Sequence, residues 1–215
     1  MSLAWREVVL PVPRWLGYVV TIDGALPQPA SATEHRLALV RRASAGDQDA
    51  FEGLVRSLGD RLLATARKIL RDPDAAEDAV QQAVISAWRM LPRLRDPARF
   101  DGWLYKILVS ACYQEARRAR RFSGRVQHIA AEPAAEDDAE QWLEREAIEQ
   151  AFRTLSPAHR AVVVLHHFAD LPLTEVARIV GVSPGTARSR LHYALRMLRA
   201  ALEAADRPVI SELQR

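Results

Sequence analysis

With a single cysteine, Cys112, among its 215 residues, the chain has no internal disulfide framework, and this usage suits a reducing cytosol. No apolar run reaches the ~18 residues that a membrane-spanning helix needs, so no membrane partner is expected. No stretch alternates apolar and polar residues for any length, which points to an all-α class. A Gly-rich phosphate loop, a nucleophile elbow and a paired-acid arrangement are all missing, and with them any sign of an enzyme or a cofactor. What is present is ordinary in bulk: 49% apolar and 27% charged residues, enough for one or two small domains. The net charge is only +3, but its sign is unevenly spread along the chain.

The most informative stretch runs from Leu171 to Arg199, LPLTEVARIVGVSPGTARSRLHYALRMLR. Two short segments of helical periodicity are broken by Gly181-Val182-Ser183-Pro184. Ser183 is suited to accept a bond from a free amide of the following turn, and Pro184 fits the first helical position. Thr174 is expected to cap the earlier segment, and Gly181 suits the left-handed turn that ends it. Two helices joined by such a turn make a helix-turn-helix, whose second helix enters the major groove of DNA. In that second helix Ala187, Leu191, Ala194, Leu195, Leu198 and Leu202 form one apolar stripe, with Ala177 small enough for the helix crossing. At about 100° per residue, Gly185, Arg188, Ser189, His192 and Arg196 share the opposite face. Arginine forks onto guanine O6 and N7, and serine and histidine reach bases or backbone, so this face reads as DNA-binding.

Upstream, residues from Glu34 to Leu70 repeat apolar positions at i, i+3 and i+4, interrupted at Gly46-Asp47, where Asp47 can cap the next helix. Arg71-Asp72-Pro73-Asp74 is a stop followed by a fresh cap. A helix then runs to Leu91, with Val80, Ala83, Val84, Ala87, Trp88 and Leu91 inward and Glu77, Asp78, Gln81, Gln82 and Arg89 outward. After a loop over Pro92–Arg99, a third helix extends from about Phe100 to Arg121. Its end carries Arg117, Arg118, Arg120 and Arg121, a cluster suited to a phosphate backbone. Residues 123–141 hold Gly124, Pro133 and the acids Glu132, Glu136, Asp137, Asp138 and Glu140, a flexible acidic linker. Beyond it Leu143, Ala147, Ile148, Ala151, Phe152 and Leu155 make one helix, and Ser156-Pro157 caps the next, which carries Ala161, Val162, Val164, Leu165 and Phe168. At the other end, Arg14, the apolar run Trp15–Ile22 and Ala30-Ser31-Ala32 imitate a secretion signal. Glu7, Pro11 and Pro13 interrupt that pattern, and residues 1–34 read instead as a poorly ordered extension, or as a start codon placed too early.

Taken together, AAEDAVQQAVISAWRML, RFDGWLYKILVSACYQEARRARR, the acidic linker and LSPAHRAVVVLHHFADLPLTEVARIVGVSPGTARSRLHYALRML resemble a bacterial sigma-70 family factor of the extracytoplasmic-function group. The resemblance covers about Glu34 to Ala204. It implies sigma region 2 over 35–122, an acidic linker over 123–141, sigma region 4 over 142–206 and a tail over 207–215. It implies core RNA polymerase (the β′ clamp helices and the β flap) and promoter DNA as partners, with an anti-sigma protein among those the group often has. Clamp binding carries over to Asp78, Gln81, Gln82 and Arg89, although the family usually has an acid at Gln82. Reading and melting of the −10 element carries over to Leu94, Arg95, Phe100, Tyr105, Ser110, Gln114, Arg117 and Arg118. Ser110 and Gln114 stand where Asn and an Asp or Asn are common. The −35 contacts fall on Gly185, Thr186, Arg188, Ser189, His192 and Arg196, with Tyr193 where many relatives have Arg. The linker would lie in the RNA-exit path, its charge imitating nascent RNA.

Two rival readings are weaker. A helix-turn-helix regulator that is no polymerase subunit would not need the stretch from Glu77 to Arg121. A metal enzyme would need ligands on one helical face, but His166 and His167 point about 100° apart and His159 lies nearly two turns away. The histidines read as surface or partner-facing, Trp88 and Trp103 as core before base stacking, and Cys112 as buried filler.

Overall fold

The computed structural model describes residues 30–122 and 148–205, and all regular elements among them are helical. Helix α1 (Ala30–Ser44) begins earlier than the expected start near Glu34. Gly46, at φ +96°, turns the chain, and the Asp47 carboxylate accepts the Ala50 amide at 2.9 Å to start α2 (Gln48–Leu70). Arg71 ends α2 in the left-handed region at φ 62°. Asp72 then accepts the Ala75 amide at 3.0 Å, and Pro73 opens α3 (Pro73–Met90). Two single turns, Leu91–Arg93 and Pro97–Arg99, lead into α4 (Phe100–Phe122).

After residues 123–147, which lie outside the described residues together with 1–29 and 206–215, α5 is described over 148–154. The expected acidic linker, residues 1–29 of the expected N-terminal extension, and Leu143 and Ala147 fall outside in the same way, whereas residues 30–34 of that extension belong to helix α1 rather than to a poorly ordered segment. Ser156 caps α6 (Pro157–Val163), which runs on into a wider turn over Val164–Phe168, where the Ala169 amide donates to Val164 O at 3.0 Å. Helices α7 (Leu173–Val180) and α8 (Pro184–Ala205) complete the described residues.

Packing follows side-chain size. Ala76, Ala79, Ala83 and Ala87 form a fully covered seam along α3, so α2 and α4 can close on it without bulky knobs. Against the seam lie Leu54, Leu58, Leu62 and Ile69 of α2 and Leu104, Leu108 and Cys112 of α4. Trp88 was expected in this core and is instead 36% exposed, leaning on the Phe51 ring at 5.0 Å. The reason is the seam itself: alanines one turn apart take the inward positions, and the indole is left at the edge of the contact. Trp103 is half-buried against the core.

The same core continues into the second half through Val162, Leu165, Val176 and Ile179, so the two halves pack on each other. Helix α4 lies along α7. The Lys68 ammonium sits over the Phe168 ring at 4.7 Å, and burial holds its pKa below the usual lysine range. Arg71 pairs with Glu149. Glu175 rests on Gly102, where a Cβ would come within 2.5 Å of Oε1. Small satellite clusters, Ile148–Ala151–Leu198 and Leu155–Val163–Ala194, fasten α5 and α6 to α8.

Candidate nucleic-acid interface

The helix-turn-helix is set by local bonds. Helix α7 ends at Gly181, φ 71° and ψ 38°, whose amide donates to Ala177 O. Ser183 Oγ accepts the Thr186 amide at 3.1 Å and lies 2.9 Å from Thr186 Oγ1, and Pro184 opens α8. Thr174, expected as the cap of α7, is not one. The helix already starts at Leu173 with Pro172 at the cap position, and Pro172 O accepts the Glu175 and Val176 amides. A backbone carbonyl does the work that the threonine hydroxyl was expected to share.

Helix α8 is amphipathic as its spacing predicts. Ala187, Ala194 and Leu198 are fully covered, Leu191 and Leu195 half-buried, and Val176 and Ala177 of α7 close the crossing from the other side. Gly185, Thr186, Arg188, Ser189, His192 and Arg196 are all exposed. Ser189 Oγ donates back to Gly185 O at 3.1 Å. Tyr193, 42% exposed, stacks on His159 at 4.9 Å and carries the Arg196 guanidinium at 5.8 Å from its ring centre. It thus holds one cation of the exposed face in place.

In the first half the expected positions separate into two groups. Ser110, Gln114, Arg117 and Arg118 are exposed along α4, with Arg118 bonded to Glu115 at 3.1 Å. Ser110 and Gln114 share a groove of about 390 Å³ with Gln82, Met90, Trp103 and Lys106, between α3 and α4. Arg95 is exposed and Leu94 half-buried on the loop between the two single turns. Phe100 and Tyr105 are covered, at 3% and 7% exposure. Phe100 packs on Trp103 at 5.8 Å, and Tyr105 lies where α2 and α4 meet Ala169 and Leu171 of the second half. Burial raises the Tyr105 pKa.

On α3, Asp78, Gln81, Gln82 and Arg89 are exposed, and Gln82 donates to Ser86 Oγ at 3.4 Å. Beside them stand Ile85 and Trp88, each exposed by more than a third, while the exposed Met90 lies in the groove with Ser110 and Gln114. An exposed apolar group rimmed by polar side chains is the composition of a protein-binding patch. The alanine seam was the available signal, since it fixes which face turns outward.

Among the described residues no three His, Cys, Asp or Glu side chains gather as a metal site, and no helix is long and apolar enough to cross a membrane. His166 Nδ1 lies 2.9 Å from Leu171 O, and His167 stacks on His166 at 4.7 Å with its own Nε2 buried and unpartnered. Both are half-buried, where surface or partner-facing positions were expected. Burial, then the neighbouring His166, lowers the His167 pKa. Cys112 is fully covered, and burial pushes its thiol pKa up to about 12.

Residues 54–122 match the family model Sigma-70 region 2, and residues 151–200 match Sigma-70, region 4. The chain is 32% identical over 156 residues to an RNA polymerase sigma-E factor of Streptomyces avermitilis, covering 73% of this chain and 87% of that one. It is 32% identical over 167 residues to the ECF RNA polymerase sigma factor SigL of Mycobacterium tuberculosis, covering 74% and 94%. Its fold resembles the sigma factor RpoE of Bartonella quintana, solved with the anti-sigma factor NepR, at a TM-score of 0.59 and 25% identity over 71% of this chain and 96% of that one. The capped recognition helix in the second half and the alanine-seamed bundle in the first are thus the two parts of one known kind of initiation subunit, and the chain belongs to the sigma-70 family of RNA polymerase sigma factors, in its extracytoplasmic-function group.

Proposed function

We propose that this sigma factor divides promoter recognition between its halves. Helix α8 reads the −35 element through Arg188, Ser189, His192 and Arg196, with Gly185 and Thr186 at the helix start against phosphate. The observation that carries this is the sidedness of α8: small and apolar residues covered on one face, cations and donors exposed on the other. Ser110, Gln114, Arg117 and Arg118 on α4, with Leu94 and Arg95 on the preceding loop, serve the −10 element. The groove beside Ser110 and Gln114 offers an apolar wall and polar edges to an unstacked base. Phe100 and Tyr105 support that surface from beneath, and Tyr105 can reach DNA only when the two halves part.

Helix α3 docks on core polymerase. Asp78, Gln81, Gln82 and Arg89 form its polar rim, and Ile85 and Trp88 supply the apolar contact. The protein acts in the cytoplasm, has no catalytic centre of its own and borrows that of the polymerase. An anti-sigma partner, such as the Bartonella quintana relative has in NepR, would compete for the exposed apolar group on α3. The test is run-off transcription with purified core polymerase on genomic fragments. Initiation from an asymmetric two-box promoter, with little DNA affinity in the chain alone, is the expected outcome. Tight binding of the isolated chain to symmetric sites would overturn it in favour of a dimeric regulator.

A further inference from the structure

Where the two halves meet, α2, the start of α3 and the end of α4 face residues 153–157 and α6 across an open cleft of about 420 Å³. Its cations are Arg120, Arg153 and Arg160, and its acids are Asp72 and Glu115. The three cations outnumber the two acids, and both acids are already engaged: Asp72 caps α3 through the Ala75 amide, and Glu115 is bonded to Arg118. Arg160 is the unusual member. It is only 9% exposed, its Nε is buried, and that nitrogen has no hydrogen-bond partner. Burial and then the charges of Arg71 and Arg120 push its pKa down to about 10. A buried guanidinium nitrogen left without a partner is costly to a fold, and an anion that reaches it would remove that cost.

We propose that this cleft is a binding site for the phosphoryl groups of a small ligand, bridging the first half through Arg120 and the second through Arg153 and Arg160. Guanidinium forks match phosphate oxygens in pairs, and the volume suits a compact polyanion rather than an extended strand. Because its arginines come from both halves, an occupied site holds the halves together. It therefore favours the arrangement in which Tyr105 shares a small cavity with Ala169 and Leu171 of the second half. The site lies apart from the exposed face of α8, so its occupation is separable from DNA contact.

Calorimetric titration of the full chain with pyrophosphate at low salt tests this, with citrate as a polyanion lacking phosphorus. One saturable site per chain is expected, with pyrophosphate bound more tightly than citrate and the thermal midpoint rising on binding. Arg160→Gln should weaken pyrophosphate at least tenfold, and so should the rim pair Arg120→Gln with Arg153→Gln. The rim pair decides the matter if the buried change prevents folding. Arg188→Gln with Arg196→Gln on α8 should leave binding unchanged. Absence of saturable binding overturns the proposal. So does binding that survives the rim pair but is lost with the α8 pair, and citrate bound as well as pyrophosphate overturns the phosphoryl assignment.

Discussion

Replacing Arg188 by alanine separates recognition from folding more cleanly than any other single change on α8. The side chain is exposed on the second turn, opposite the covered Ala187 and Ala194. No hydrogen bond or ion pair within the described residues engages its guanidinium, so its removal leaves no buried group stranded. The stability cost should stay within about 0.5 kcal/mol, as for surface positions generally. Alanine is also a good helix former, so α8 keeps its shape. Binding is different: a guanidinium forked onto a guanine edge contributes about 1–3 kcal/mol of discrimination, or roughly 5- to 150-fold. The assay is holoenzyme affinity for a promoter with its −35 box intact and with that box scrambled, for wild type and variant. The variant should lose affinity on the intact box and little on the scrambled one, because the contact is already gone there. Equal losses on both would show that Arg188 supplies charge alone, and no loss on either would remove it from the interface.

Other expectations follow from burial and from titration. Leu198→Ala empties a fully covered position between α8 and Ile148 and Ala151, and should cost about 2–5 kcal/mol by chemical denaturation. An unchanged midpoint would mean that α5 is not fastened there. His167 has a folded pKa below its ordinary 6.5, so the unfolded chain takes up the proton first as pH falls. Its contribution to stability is complete above 6.5 and declines as pH drops below that value, and His167→Leu should flatten this part of the profile. Cys112, fully covered and with a pKa of about 12, should resist a thiol reagent in native buffer and react only on unfolding. Rapid native labelling would place it at the surface.

Local rules made much of this fold legible. Asp47, Asp72, Ser156 and Ser183 are side chains whose capping bonds close within three residues, and Gly181 has the left-handed turn its position demanded. The stripe Ala187–Ala194–Leu198 needed only helical periodicity. Thr174 failed because the helix starts before it, at Leu173, with Pro172 O accepting the Glu175 and Val176 amides. Trp88 failed because helical spacing placed it with the inward positions, whereas a seam of alanines fills the inward face and leaves the indole at its edge. Tyr105 beneath Leu171, Lys68 over Phe168 and Glu175 on Gly102 join residues far apart in sequence, and no local pattern announces such contacts. Arg160 carried a faint signal, a lone cation heading the apolar run Ala161–Leu165, but only the packing of the halves shows that it is enclosed.

Everything said about promoters requires that this chain be a working subunit of the transcribing enzyme. The most direct measurement is initiation by core polymerase, purified free of other specificity subunits, with and without the chain on the same DNA. Discrete transcripts that appear only with the chain present, and co-elution of the chain with the core enzyme, are the results this account predicts. No transcript from any template, together with separate elution, would contradict it.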